Sequence, residues 1–186
     1  MNWPLTTCFL ALLIPAHALE LTNEELQRII GQPSSAEVIP ELRMYPTGEC
    51  RYRLKVNFAN GTADFLDCST QQRYVDGRYV VFTPQPTDRL PRQQVRAYDP
   101  DLHRYFGWDV FADGQVTRLS GIYDQERKLM SWVSDDPVRG RAYSLRSIQS
   151  FADRALITWT AQVCVDNVFA FTTYGECQPI TPMPIP

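Results

Sequence analysis

The sequence predicts an all-β fold: an antiparallel up-and-down barrel of about ten strands, with a short N-terminal helix. Three observations predict it. Short segments alternate apolar and polar residues with a period of two. Turn residues recur every eight to twelve positions. One phrase is nearly duplicated: Tyr98-Asp99-Pro100-Asp101-Leu102-His103-Arg104-Tyr105-Phe106-Gly107-Trp108 is answered by Tyr123-Asp124-Gln125-Glu126-Arg127-Lys128-Leu129-Met130-Ser131-Trp132. Each copy ends a strand on Tyr-Asp, turns through polar residues and opens a strand that carries a tryptophan. That is the pattern of a β-meander.

The first 18 residues are expected to stand outside the fold. Phe9 to Ile14 is an apolar core too short to span a bilayer. Pro15 breaks it, and Ala16-His17-Ala18 has the form of a cleavage site, so the segment reads as a secretory signal peptide. Residues 19–178 are then one barrel domain, and 179–186 a Pro-rich tail that cannot join a ladder. The formal charge of −3 gives no electrostatic reason to bind nucleic acid. No segment after the leader is apolar enough to cross a membrane.

Within the domain, Thr22-Asn23-Glu24-Glu25 is a capping box. Leu26, Ile29 and Ile30 share one face of the helix it starts, and Gly31 with Pro33 ends it. A helix this short must bury that face against a barrel end or wall. Strand patterning follows. Cys50, Tyr52, Leu54, Val56 and Phe58 alternate with Arg51, Arg53, Lys55 and Asn57. Asn60-Gly61 favours a hairpin, and a three-residue loop places Phe58 opposite Thr62 and Tyr52 opposite Cys68. Further strands are expected at 73–74, 78–82, 94–98, 105–111, 115–123, 129–134, 141–151, 156–165 and 168–174. Asp76-Gly77, Asp99-Pro100, Asp113-Gly114, Asp124-Gln125, Asp135-Asp136-Pro137, Asp153-Arg154 and Asp166-Asn167 mark their turns, because a short carboxylate accepts from the backbone two residues on. Residues 83–91, with Pro84, Pro86 and Pro91, form the long irregular connection. Hairpins between sequential neighbours favour a meander, and closing it removes exposed edges.

Cysteine usage agrees with export. Cys50, Cys68, Cys164 and Cys177 follow the leader. An even count predicts two disulfides, and four cysteines allow three connectivities. Local pairing, Cys50–Cys68 and Cys164–Cys177, is the expected one. Without two-residue cysteine spacing, and with His103 the sole histidine after the leader, no metal site and no cofactor are expected.

The motifs Gly77-Arg78-Tyr79, Ala97-Tyr98-Asp99 with Arg104-Tyr105, and Gly121-Ile122-Tyr123-Asp124 with Lys128-Leu129 resemble an uncharacterised bacterial family of secreted lipocalin-like barrels of unknown function. The resemblance covers roughly residues 73–160. Lipocalins proper usually carry Gly-x-Trp on their first strand, where this chain has Gly48-Glu49-Cys50. The resemblance implies a calycin-type barrel and no catalytic residue.

Candidate chemistry is sparse. His103 is a general base or haem ligand on one reading, and a solvated turn residue on the favoured one. Asp135-Asp136 contains two carboxylates, but adjacent strand residues point apart and Pro137 follows, so the turn reading wins. In 141–151, Ala142, Ser144, Arg146 and Ile148 share one face, while Tyr143, Leu145, Ser147 and Phe151 share the other. If the even face is inner, Arg146 anchors a ligand carboxylate; if the odd face is inner, Arg146 is wet. Trp108, Trp132 and Trp159 each lie on the apolar face of a strand, and such rings line a pocket or fill a barrel with one and the same alternation pattern.

The expected function is that of a non-catalytic periplasmic or secreted barrel. Its interior binds a small, partly apolar ligand between Trp108, Trp132 and Trp159, with Arg146 as polar anchor. The alternatives are a cell-envelope protein–protein interaction module with a filled barrel, suggested by the Pro-rich loop and tail, and an envelope enzyme acting through His103 or Asp136.

Overall fold

The computed structural model describes residues 21–84, 93–134, 136, 140–153 and 155–179. The expected signal segment 1–18, most of the Pro-rich connection, Asp135 and the tail from residue 180 lie outside them. Helix α1 (Asn23–Gly31) and a 3-10 turn (Pro40–Leu42) precede ten strands. These are β1 (Gly48–Phe58), β2 (Ala63–Val75), β3 (Tyr79–Pro84), β4 (Gln93–Asp99), β5 (Arg104–Val110), β6 (Val116–Asp124), β7 (Leu129–Ser134), β8 (Tyr143–Ser150), β9 (Ile157–Val165) and β10 (Val168–Pro179). Each strand pairs antiparallel with its sequence neighbour, and β10 closes on β1. The all-β meander is therefore a closed ten-strand barrel.

Local chemistry explains the turns. Asp99 Oδ1 accepts from the amides of Asp101 and Leu102, at 2.9 and 3.1 Å. Asp124 Oδ1 accepts from Glu126 and Arg127, both at 3.0 Å. Four residues after each aspartate the backbone turns left-handed, at His103 (φ 48°) and Lys128 (φ 57°). The duplicated phrase is thus one turn geometry built twice. Asp76-Gly77 and Asp166-Asn167 both hold positive φ; Val165 opposes Val168 across a two-residue turn, and Val75 opposes Tyr79 across three residues.

Helix α1 starts on the expected capping box: the Glu25 amide donates to Thr22 Oγ1 at 3.2 Å, and the Thr22 amide donates to the Glu25 carboxylate at 2.8 Å. Those bonds to Thr22 hold the Glu25 carboxyl below the usual carboxylate range. The helix buries Leu26 and Ile29 against Val75, Val81, Val95, Ala97, Phe106 and Trp108 on the outer wall of β2–β5. Burying each of these two side chains stabilises by about 1.5–3 kcal/mol. A second cluster fills one end of the interior. There Leu42 and Tyr45 descend from the 3-10 turn onto Val80, Phe82, Tyr105, Met130 and Phe151. Tyr74 Oη donates to the Tyr45 carbonyl at 2.6 Å, and Tyr105 Oη donates to the Glu41 carbonyl at 3.2 Å. Residues 38–45 are therefore a plug.

Two strands are longer than expected. β2 runs unbroken through Ser69-Thr70-Gln71-Gln72, and β10 continues through Gly175 to Pro179. The polar run resembles a turn, yet Thr70 and Gln72 face the barrel interior, where polar residues line a cavity.

The disulfide pairing is corrected. The first hairpin has the expected register: Tyr52 opposes Cys68, and the Phe58 amide donates to Thr62 O at 2.9 Å. Tyr52 also opposes Cys177 across the closing seam. Cys50, two residues back on the same inner face, is joined to Cys177 with a Cα–Cα distance of 5.9 Å. Cys164 cannot meet Cys177, because it lies on the outer face of β9 opposite Ser144, whereas Cys177 faces inward opposite Ile157. Cys68 and Cys164 remain thiols.

Candidate functional site

Beyond the plug, the barrel encloses a cavity of about 510 Å3. Tyr45 is its floor and also borders a wider groove of about 830 Å3 on the other side of the plug. Tyr45 packs edge-on against Phe82 and Phe151, with ring centroids at 5.5 and 5.3 Å. The aromatic wall of the cavity comprises Tyr52, Phe82, Trp132, Trp159 and Phe171. Its polar wall comprises Thr70, Gln72, Gln94, Arg96, Asp109 and Gln149.

Three glycines shape this lumen. Gly107 opposes Arg96, Gly121 opposes Trp132, and Gly175 opposes Trp159. Each large side chain lies across the backbone of its glycine partner. A Cβ on Gly121 would sit 2.7 Å from the Trp132 ring, and one on Gly175 would sit inside the Trp159 ring contact. Trp159 is thereby held as part of the cavity wall, while the other side of the Trp132 ring is covered by Arg96. Gly175→Val is accordingly expected to push Trp159 off the wall. The cost is about 1–3 kcal/mol by overpacking, read as a lower urea midpoint together with a shifted tryptophan emission. An unchanged emission spectrum would refute this packing.

Among the described residues that line the cavity, Arg96 is the cation. Its Nη2 lies 2.9 Å from Asp109 Oδ1, with both side chains nearly buried. Nη1 donates to the carbonyls of Val95 and Trp108, at 3.0 and 3.4 Å. The guanidinium also lies over Trp132 and Phe82, 5.1 and 5.9 Å from their centroids. Such stacking suits a planar, weakly hydrated cation. Burial pushes the Tyr143 hydroxyl up to about 12, and the nearby Asp109 charge adds to the effect. Burial likewise raises Tyr45 and Tyr52. All three therefore stay neutral hydroxyls near neutral pH, donors or acceptors rather than phenolate bases.

No family model matches the chain, and no curated protein does. Among solved structures, the chain is similar to one from the de novo design of transmembrane β-barrels: 10% identity, 72% of this chain and 96% of that one covered, TM-score 0.37. It is also similar to the S-type phycobiliprotein lyase CPES from Guillardia theta: 9% identity, 78% of this chain and 94% of that one covered, TM-score 0.46. The closed barrel itself rests on the strand pairing described above.

The expected site residues divide. Trp132 and Trp159 line the cavity. Trp108 does not: it packs on the outer wall with Leu26 and Ile29 of α1. Arg146 is also outside, exposed on β8, where its Nη1 donates to the Leu145 and Ser134 carbonyls at 2.9 and 3.3 Å. Tyr143, Leu145 and Ser147 face inward in its place. His103 is exposed in its turn, with Nδ1 3.2 Å from Tyr98 Oη. Asp136 Oδ2 accepts from the Arg118 amide at 2.9 Å, an anchor for the chain after β7. Among the described residues, no three His, Cys, Asp or Glu side chains cluster as metal ligands. Sequence reasoning missed Arg96 and Asp109. The available signal was the alternation Gln94-Val95-Arg96-Ala97-Tyr98, whose polar face turns inward because α1 covers the apolar one.

Proposed function

We propose that this protein is a non-catalytic, exported carrier or sensor whose barrel interior binds a small, partly apolar molecule. The observation that carries this reading is the cavity of about 510 Å3, within the range of small-molecule sites. Its aromatic wall presents Trp132 and Trp159, laid flat across glycines. A barrel that was merely filled would have little use for rings held against the wall around free volume. Export is supported by the Cys50–Cys177 disulfide, a bond that persists in oxidising compartments, and by the signal-like N-terminal sequence.

The test is native mass spectrometry on protein purified from its own host, before and after organic extraction. A defined extra mass lost on extraction is expected. A single bare mass in both samples would refute the reading and favour an interaction module instead.

A further inference from the structure

The polar wall has a pattern that points to a ligand class. Gln72, Phe82, Gln94, Asp109 and Thr117 oppose one another in turn across β2, β3, β4, β5 and β6, forming one lateral row on the inner face. Two acceptor-only oxygens of this row, Gln72 Oε1 and Asp109 Oδ1, and the Thr117 hydroxyl, which both donates and accepts, are buried without a hydrogen-bond partner. Gln72 is 7% exposed and borders the cavity, as does Asp109. Arg96 faces Asp109 Oδ1 as an ion pair, but is not aligned on it as a hydrogen-bond donor. Its other nitrogen is engaged by backbone carbonyls. The cation is therefore already committed, and a carboxylate such as Asp109 only accepts. Buried acceptors are costly to leave without donors. Trp159 on β9 stands halfway round the ring of ten strands from β4 and lines the same cavity.

Building on the interior-binding reading, we infer that the ligand is a flat heteroaromatic ring bearing N–H donors. The ring stacks on Trp159, and its donors meet Gln72 Oε1 and Asp109. A ligand that is itself a carboxylate is disfavoured, because it adds acceptors and negative charge beside Asp109 and, among the described residues, finds no uncommitted cation there. This reverses the chemistry that an interior Arg146 would have implied.

Three probes sharing one ring test this by calorimetric titration of the full chain: 2-aminoquinoline, 2-methylquinoline and quinoline-2-carboxylate. The amino and methyl groups are similar in size, and in buffer alkaline enough to leave both ring nitrogens unprotonated the two probes differ mainly in donors. The amino compound is expected to bind at least about tenfold more tightly than the methyl compound, and the carboxylate most weakly. Gln72→Leu is expected to shrink the amino preference, and Gln72→Glu, which keeps the acceptor, to retain it. Equal binding of amino and methyl probes, tightest binding of the carboxylate, a preference unmoved by Gln72→Leu, or no binding of any probe would each overturn the inference. The extractable mass found with host-purified protein decides separately whether interior binding itself stands.

Discussion

Replacing Arg96 by alanine is expected to destabilise the barrel by about 3–5 kcal/mol, because it leaves the buried Asp109 carboxylate without its counter-charge. The Arg96 and Asp109 side chains are 10% and 13% exposed, so water screens the pair weakly. The substitution also removes the guanidinium from the Trp132 and Phe82 faces and opens a void over Gly107. Urea unfolding measures the loss. Breaking the pair and deleting it are different experiments. Arg96→Met combined with Asp109→Leu removes both charges and keeps volume, and such swaps are often close to neutral. The double variant should therefore recover most of the lost stability. A single variant within about 1 kcal/mol of wild type, the scale of an exposed ion pair, would refute the buried-pair description. If the pair persists although an apolar core would serve stability as well, its role lies in what it presents to the cavity.

The parts of this molecule that were legible in the sequence are those decided locally. Asp99 and Asp124 close their turns with their own carboxylates, so the duplicated phrase predicts duplicated hairpins. The Tyr52–Cys68 register follows from one turn and one alternation. What was not legible depends on which side of a strand is covered, and by what. Residues in β4 and β5 are buried on both faces, one under α1 and one around the cavity. Apolar alternation then marks the helix-covered wall: Trp108 shows the same pattern as Trp132 and lies on the opposite side. A cavity with polar residues also inverts the usual rule, so Gln72, Gln94 and Arg96 face inward while Arg146 stays wet. The 36–47 region carries no strong periodic signal, yet it supplies Tyr45, the cavity floor. Closure is likewise non-local. Nothing near Cys50 in the sequence announces that its partner is separated by 127 positions.

That separation sets the second large expected effect. Joining Cys50 to Cys177 closes a loop spanning nearly the whole barrel, for which the chain-entropy model gives about 5 kcal/mol of stabilisation, an upper value since unfolded chains retain structure. Reduction, or Cys177→Ser, should lower the urea midpoint by a matching amount. It should also speed amide exchange along β1 and β10 before β5 and β6, because the bond ties the seam. Cys177→Ser carries a further expectation. Cys68 and Cys177 both oppose Tyr52, one on each side of β1, and Cys50 lies diagonal to both. With Cys177 gone, oxidation should join Cys50 to Cys68, the local pairing that the hairpin register alone suggests. Peptide mass mapping reads that bond directly. It closes a much shorter loop, near 3 kcal/mol in the same model, so the rescued variant should regain only part of the loss while its seam stays open to exchange. Full recovery would mean that the native bond acts by something other than constraining the chain. A Cys50–Cys68 bond that failed to form would mean that the two diagonals beside Tyr52 are not equivalent, and that strand twist selects the seam.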